Sequence, residues 1–220
     1  MKYNSVTDII GPVMVGPSSS HTAGAVRIGQ VARSIYGGQA EEADLTFYGS
    51  FAHTFKGHGT DVAVVAGLLG LSTFDICIPE AFALAKAAGL KVTIKASDEL
   101  TDHPNTAKIV MRGPAGEVTV TGISIGGGSV QITEVNDFQI RVSDDKPTTL
   151  IIHQDKAGVI ASVTEVFGRH NVNIAHMEVA RKERGELALM SIETDEKVDE
   201  EILSTLRKLP YMYKVIHIKR

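Results

Sequence analysis

The chain has one cysteine, Cys77, among 220 residues. A lone cysteine excludes an internal disulfide and any cysteine-based metal cluster carried by this chain alone. It stands in Asp75-Ile76-Cys77-Ile78-Pro79, where a thiol reads as a small buried hydrophobe. An excess of positive charge is missing too. The formal net charge is −4, which argues against a nucleic-acid surface, and no basic run marks a membrane patch. The longest apolar run, Val62 to Leu71, is too short to span a bilayer. The opening Met1-Lys2-Tyr3-Asn4-Ser5 lacks the apolar core of a signal peptide, so a cytoplasmic protein is expected. No HExxH, CxxC, P-loop or GxSxG pattern occurs, and the chemistries those patterns carry have no support. With 22% charged and 43% hydrophobic residues, what remains is an ordinary globular chain of one or two domains.

What the chain does have is the stretch Gly16-Pro17-Ser18-Ser19-Ser20-His21-Thr22-Ala23-Gly24. Ile28, Val31, Ala32 and Ile35 follow at the spacing of an amphipathic helix. Ser20 or Thr22 is the expected N-cap and Gly37-Gly38 the stop. Hydroxyls at a helix N-terminus suit a carboxylate or phosphate. The same pattern also reads as an ordinary helix cap with a Ser-rich lead-in. A second stretch, Gly49 to Asp61, repeats the design as a polar, glycine-hinged loop carrying His53, Lys56 and His58, with Thr60 or Asp61 capping the next helix. Imidazole titrates near neutrality and can act as a general base. A lysine neutralises a carboxylate and so acidifies the neighbouring α-carbon proton. Flanked by Gly57 and Gly59, His58 has no wall to pack against, which favours function over a core role. The serine cluster suits hydrogen bonding better than activation of one nucleophile.

Between these loops and the chain's last third, strands are expected at 44–48, 91–96, 108–112, 117–124, 130–135 and 138–142. A helix opens at Pro79 and closes at Gly89. The run Gly126-Gly127-Gly128-Ser129 reads as a flexible strand corner, without the spacing of a dinucleotide site. His103 sits in a turn made by Pro104. Ser143-Asp144-Asp145-Lys146-Pro147 is the linker candidate. Past it, the order strand, helix, strand, strand, helix, strand runs through about seventy residues, the ferredoxin-like arrangement. The expected fold class is α+β: a mixed-sheet domain over 1–143 and a βαββαβ domain over 148–220.

The runs Gly16-Pro17-Ser18-Ser19-Ser20-His21-Thr22 and Lys56-Gly57-His58-Gly59-Thr60-Asp61 together resemble the β component of iron–sulfur-dependent L-serine dehydratase, in its two-chain form with a C-terminal ACT domain. The resemblance implies conversion of L-serine to pyruvate and ammonia. It also implies a [4Fe-4S] cluster ligated by a partner α chain and a site formed where the two chains meet. On that view Ser18, Ser19, Ser20, His21 and Thr22 hold the substrate carboxylate, His58 is the candidate base, and Lys56 and Thr60 position the substrate. No metal ligand is expected on this chain. The C-terminal part is similar to ACT domains, which pair through their sheets and bind amino acids at the pair's interface. His153, Asp155, Gly158 and Asn173 match positions used in serine-sensing members. Asp155 stands where Asn is common there, and Ala157 where Pro is common. A second resemblance, to the allosteric region of some D-3-phosphoglycerate dehydrogenases, implies instead a sensor that binds an anion and reacts with nothing.

Overall fold

The structure, a computed structural model, describes residues 18–143 and 145–218. Gly16 and Pro17 of the first stretch and Asp144 of the linker candidate lie outside the described residues. The chain divides into two compact units, with the division at the Asn136-Asp137 turn, where both residues have positive φ (49° and 63°). Asn and Asp tolerate that left-handed conformation better than other side chains.

The first unit opens on helix α1 (Ala23–Tyr36), then β1 (Glu42–Tyr48), α2 (Gly49–His58), α3 (Thr60–Leu68), a 3₁₀ turn at Ile78–Glu80 and α4 (Ala81–Ala87). Strands β2 (Lys91–Ser97), β3 (Asn105–Gly113), β4 (Gly116–Gly126) and β5 (Ser129–Val135) follow. Their sheet order is β2-β1-β3-β4-β5, with β1 and β2 parallel and the other pairs antiparallel. Strict alternation drives β1: Leu45 and Phe47 are buried while Asp44 and Thr46 are partly exposed. The triple glycine forms the tight turn from β4 to β5, with Gly126, Gly127 and Gly128 all at positive φ.

Helices α1 and α3 cross at glycines. A Cβ on Gly67 would lie 2.0 Å from the Val26 carbonyl oxygen, and one on Gly29 would lie 2.3 Å from that of Val64. Only hydrogen at both positions lets the backbones approach so closely. Arg33 and Gln30 then reach across to the Leu68 and Leu71 carbonyls at 2.9 and 2.7 Å.

The loop expected over Gly49 to Asp61 is corrected by the structure. Gly49 to His58 is helical, and a single residue, Gly59 at φ 68°, separates it from α3. Phe51 and Phe55 of α2 pack on Phe47 of β1, with ring centroids 6.1 and 5.4 Å apart. Burial of those rings stabilises a helix whose own residues favour it weakly.

The second unit carries β6 (Phe138–Ser143), β7 (Thr148–Gln154), α5 (Val159–Arg169), β8 (Ile174–Arg181), β9 (Leu187–Thr194), α6 (Glu200–Lys208) and β10 (Met212–Ile218). Four strands form a sheet in the order β10-β7-β9-β8, the ferredoxin-like arrangement expected from the sequence. Both helices cover one face, around Ile151, Val163, Phe167, Met190, Ile192, Ile202 and Leu206. Asp199 caps α6, its carboxylate accepting from the Ile202 amide at 2.9 Å.

Candidate functional site

The triple-serine turn is tied down by its own histidine. His21 Nδ1 lies 3.0 Å from Ser18 Oγ and 3.2 Å from Ser20 Oγ, and those two hydroxyls are 3.0 Å apart. Its other ring nitrogen, Nε2, lies 3.2 Å from Ser50 Oγ at the start of α2. Either tautomer satisfies this set, because a hydroxyl both donates and accepts. The ring also packs edge-on against Phe51 (5.0 Å between centroids) and His58 (4.8 Å). Phe51 and His58 are seven residues apart on α2, so both project from one side of that helix. Burial, and then the nearby His58, hold the His21 imidazole below its usual pKa. His21 is thus a neutral staple between the serine turn and α2.

Thr22 is the residue preceding α1, but its side chain makes no cap. Its hydroxyl donates instead to the Ser18 carbonyl at 2.9 Å. The amides of His21, Thr22 and Gly24 are also used, on the Ser18 and Ser19 carbonyls. The helix-start amides on which the sequence places an anion are therefore engaged within the turn itself. There the Ser19 side chain, partly exposed, has no partner among the described residues. Ser18 and Ser20 present their hydroxyls already oriented by His21.

His58 is half-buried, and its Nδ1 is buried without a hydrogen-bond partner among the described residues. Thr60, fully buried at the start of α3, likewise leaves Oγ1 unpaired. Buried polar atoms are normally satisfied, so these mark the place where two helices meet the turn. Lys56 does not join them. Two residues before His58 on a helix, it lies about 160° round the axis from it, exposed, with Nζ 5.9 Å from the centre of the Phe55 ring. An expected place beside His58 presupposes a loop, and on the helix the two side chains point apart. His53 is exposed as well. It lines a groove of about 460 Å³ with Gly49, Leu100 and Pro104.

Three residues that the sequence reading left out border this site. Ser50 holds His21. Ser124 of β4 presses its buried, unpaired hydroxyl against the first turn of α1: a Cβ on Gly24 would lie 2.2 Å from that oxygen. Asn105, at the start of β3, donates from Nδ2 to the Ser124 carbonyl at 3.3 Å and is bridged through its backbone to Gly49. Nothing in their local sequence marks them, because strand pairing brings them here.

In the second unit, the four expected regulatory residues divide between the two ends of the sheet. His153 pairs with Ala188 at one end, whereas Asn173 precedes Ile174, which pairs with Thr194 at the other. Gly158, at φ 89°, precedes α5. His153 is 2% exposed, with Nδ1 2.8 Å from the Gln154 carbonyl oxygen and Nε2 unpaired. Asp155 accepts from the Gly185 amide and from Arg181, each at 3.0 Å, and these bonds lower its pKa in that order. Asn173 donates to Asp195 at 2.7 Å. One copy of the chain does not gather these residues into a single pocket.

The described residues contain no cluster of three or more His, Cys, Asp or Glu placed to hold a metal ion. No helix among them is long and apolar enough to cross a membrane.

Two family models match the chain: the serine dehydratase beta chain over residues 5–88 and the ACT domain over 148–211. A probable L-serine dehydratase beta chain of Bacillus subtilis is 54% identical over 99% of both chains. The L-serine dehydratase beta chain of Peptoniphilus asaccharolyticus is 40% identical over 92% of both. A D-3-phosphoglycerate dehydrogenase of Synechocystis is 27% identical over 84% of this chain but only 34% of its own. Coverage decides between the two kinships: similarity running the full length of both partners, with the two domains in the same order, makes this chain a member of the L-serine dehydratase beta-chain family.

Proposed function

We propose that this chain is the β subunit of an L-serine ammonia-lyase, converting L-serine to pyruvate and ammonia when assembled with an α subunit. The observation that carries the reading is the 4.8 Å packing of His21 on His58. It brings the hydroxyl-rich turn and a second imidazole within the span of one small molecule. The Ser19 hydroxyl, with those of Ser18 and Ser20, receives the substrate carboxylate. Hydrogen bonds to a charged group contribute about 1.5–3 kcal/mol each, so two or three give useful affinity. His58 then removes the α-proton. Loss of the β-hydroxyl leaves aminoacrylate, which tautomerises to an imine and is hydrolysed to pyruvate and ammonia. Thr60, buried behind His58, is a positioning residue.

The family resemblance implies a [4Fe-4S] cluster. One half-buried cysteine does not fit such a group, so its ligands are assigned to the α subunit. This chain's own residues bind the carboxylate and take the proton.

The test is anaerobic co-production with a cysteine-bearing α chain and assay of pyruvate from L-serine. Pyruvate from the complex is expected. Replacing His58 by Ala is expected to lower kcat by about 10²–10⁴-fold, the usual range for a general base. Near-normal turnover in that variant would remove His58 from the role. No pyruvate from an intact, cluster-loaded complex favours the second reading, a non-catalytic anion sensor, for which the likeness to D-3-phosphoglycerate dehydrogenase speaks.

For the ACT domain we infer self-association, with any amino-acid site completed by a second copy, since Asn173 and His153 lie at opposite ends of one sheet.

A further inference from the structure

Five glycines lie within the helices of the first unit, and four of them have a reason inside the chain. A Cβ on Gly24, Gly29 or Gly67 would lie 2.2, 2.3 or 2.0 Å from a neighbouring oxygen. Gly49 sits at φ 54°, where a side chain is strained. Gly57 has neither reason. It is helical, its φ is outside the left-handed range, and a Cβ there would meet no described atom within 4 Å. Alanine would fit and would favour the helix more. A helical glycine that its own chain leaves open marks a close approach from outside.

We propose that the α subunit makes this approach, and that the outward face of α2, from the groove at His53 to Gly57, is its docking surface. The proposal rests on the lyase reading above and names where the second chain binds.

The position of Gly57 selects the occupant. It directly precedes His58, whose buried Nδ1 has no partner among the described residues. On the lyase reading another chain finishes the site there, so the body that comes up to Gly57 is the one that closes over His58. A second copy of this chain would bring a second base and still nothing to draw off a hydroxyl.

The rest of the face gives the partner's chemistry. His53 and Gly57, four residues apart and both exposed, lie in one row along the helix. His53 lines the groove with Ser97, Asp98, Glu99 and Leu100. Leu100 is 97% exposed, a large apolar side chain left in the open. Neither Asp98 nor Glu99 forms an ion pair with another described residue. The groove therefore suits a segment that carries a cationic side chain beside an apolar one.

The experiment titrates the purified chain with a cysteine-bearing α subunit and reads Kd by anaerobic calorimetry. Gly57→Leu is expected to raise Kd at least about tenfold and Gly57→Ala by less, since the contact has no room for added atoms. In the isolated chain neither change should lower the urea midpoint, because both residues favour a helix over glycine. Asp98→Asn combined with Glu99→Gln should weaken binding and flatten its salt dependence. Unchanged Kd in the glycine variants, or unchanged salt dependence in the double variant, overturns the proposal. So does a lowered urea midpoint, which would mean that the chain itself uses the space. A raised KM for L-serine at normal Kd would give the space to substrate, and altered self-association at normal Kd would give it to a second copy; either overturns the proposal. A wild-type complex that assembles but makes no pyruvate refutes the lyase reading instead, and the Kd series still decides on the docking face.

Discussion

At the scale of single residues, the first unit turns on one imidazole that ties two segments together. His21 uses both nitrogens on serine hydroxyls, and its ring forms the wall that glycine neighbours deny to His58. Its depressed pKa has a thermodynamic consequence. A histidine whose folded pKa lies below the ordinary 6.5 is neutral in the fold, while the unfolded chain takes up its proton first as pH falls. Its share of stability is complete above about pH 6.5 and fades as pH drops toward the folded value. An NMR titration of the ring should therefore show a midpoint under 6.5, and one at or above it would contradict the burial of this side chain. Asp155 offers a second check. Its carboxylate clamps the β8–β9 turn through the Gly185 amide, so Asp155→Ala should speed hydrogen exchange at Gly185. Unchanged exchange would mean that the clamp is not formed in solution. The serine turn and His58 are readable from sequence, because hydroxyl clusters and glycine-flanked imidazoles are unusual locally. Ser50, Asn105 and Ser124 are not: a single Ser or Asn in the first turn of a helix or in a strand is unremarkable, and only the pairing of β1, β3 and β4 brings their segments together.

At the scale of elements, the glycine crossing of α1 and α3 sets how the site is held. Gly67→Ala places a methyl group 2.0 Å from the Val26 carbonyl oxygen, and a backbone oxygen cannot rotate aside. Overpacking of this kind costs about 1–3 kcal/mol, which urea unfolding of the purified chain would register; a neutral result would imply that the helices lie farther apart. The legible elements are those with a clean period. Helix α1 has its apolar stripe, β1 its alternation, and the second unit its whole strand and helix order. Helix α2 is not legible. Gly49, Gly57 and two histidines give it little intrinsic helical preference, and Phe51 and Phe55 are too few to show a period. Its helicity depends on Phe47, a residue of a different element. Taking that segment for a loop carries Lys56 into the site, since a loop would allow the side chain to turn back and a helix does not.

At the scale of the whole molecule, the site is one-sided. On the proposed reading the chain supplies a grip for an acid group and a base, and nothing among its described residues to pull on a departing hydroxyl. The purified chain alone is therefore expected to form no pyruvate from L-serine. Activity should appear on adding the α subunit and level off once the two are matched. Turnover by this chain alone would show that the division of labour is wrong. The two domains follow the same logic in sequence: the ACT region is recognisable because its βαββαβ order is compact and local, whereas the first domain joins β1 to β2 only across three helices. One consequence follows from the single residue, Gly59, that joins α2 to α3. With α3 locked to α1 and the front of α2 wedged on Pro104, the joint has no slack to give up. A chain shortened there by one residue would drag the imidazole off its partner, while one lengthened there could bow outward and survive; natural length variation at this point should run in that direction alone.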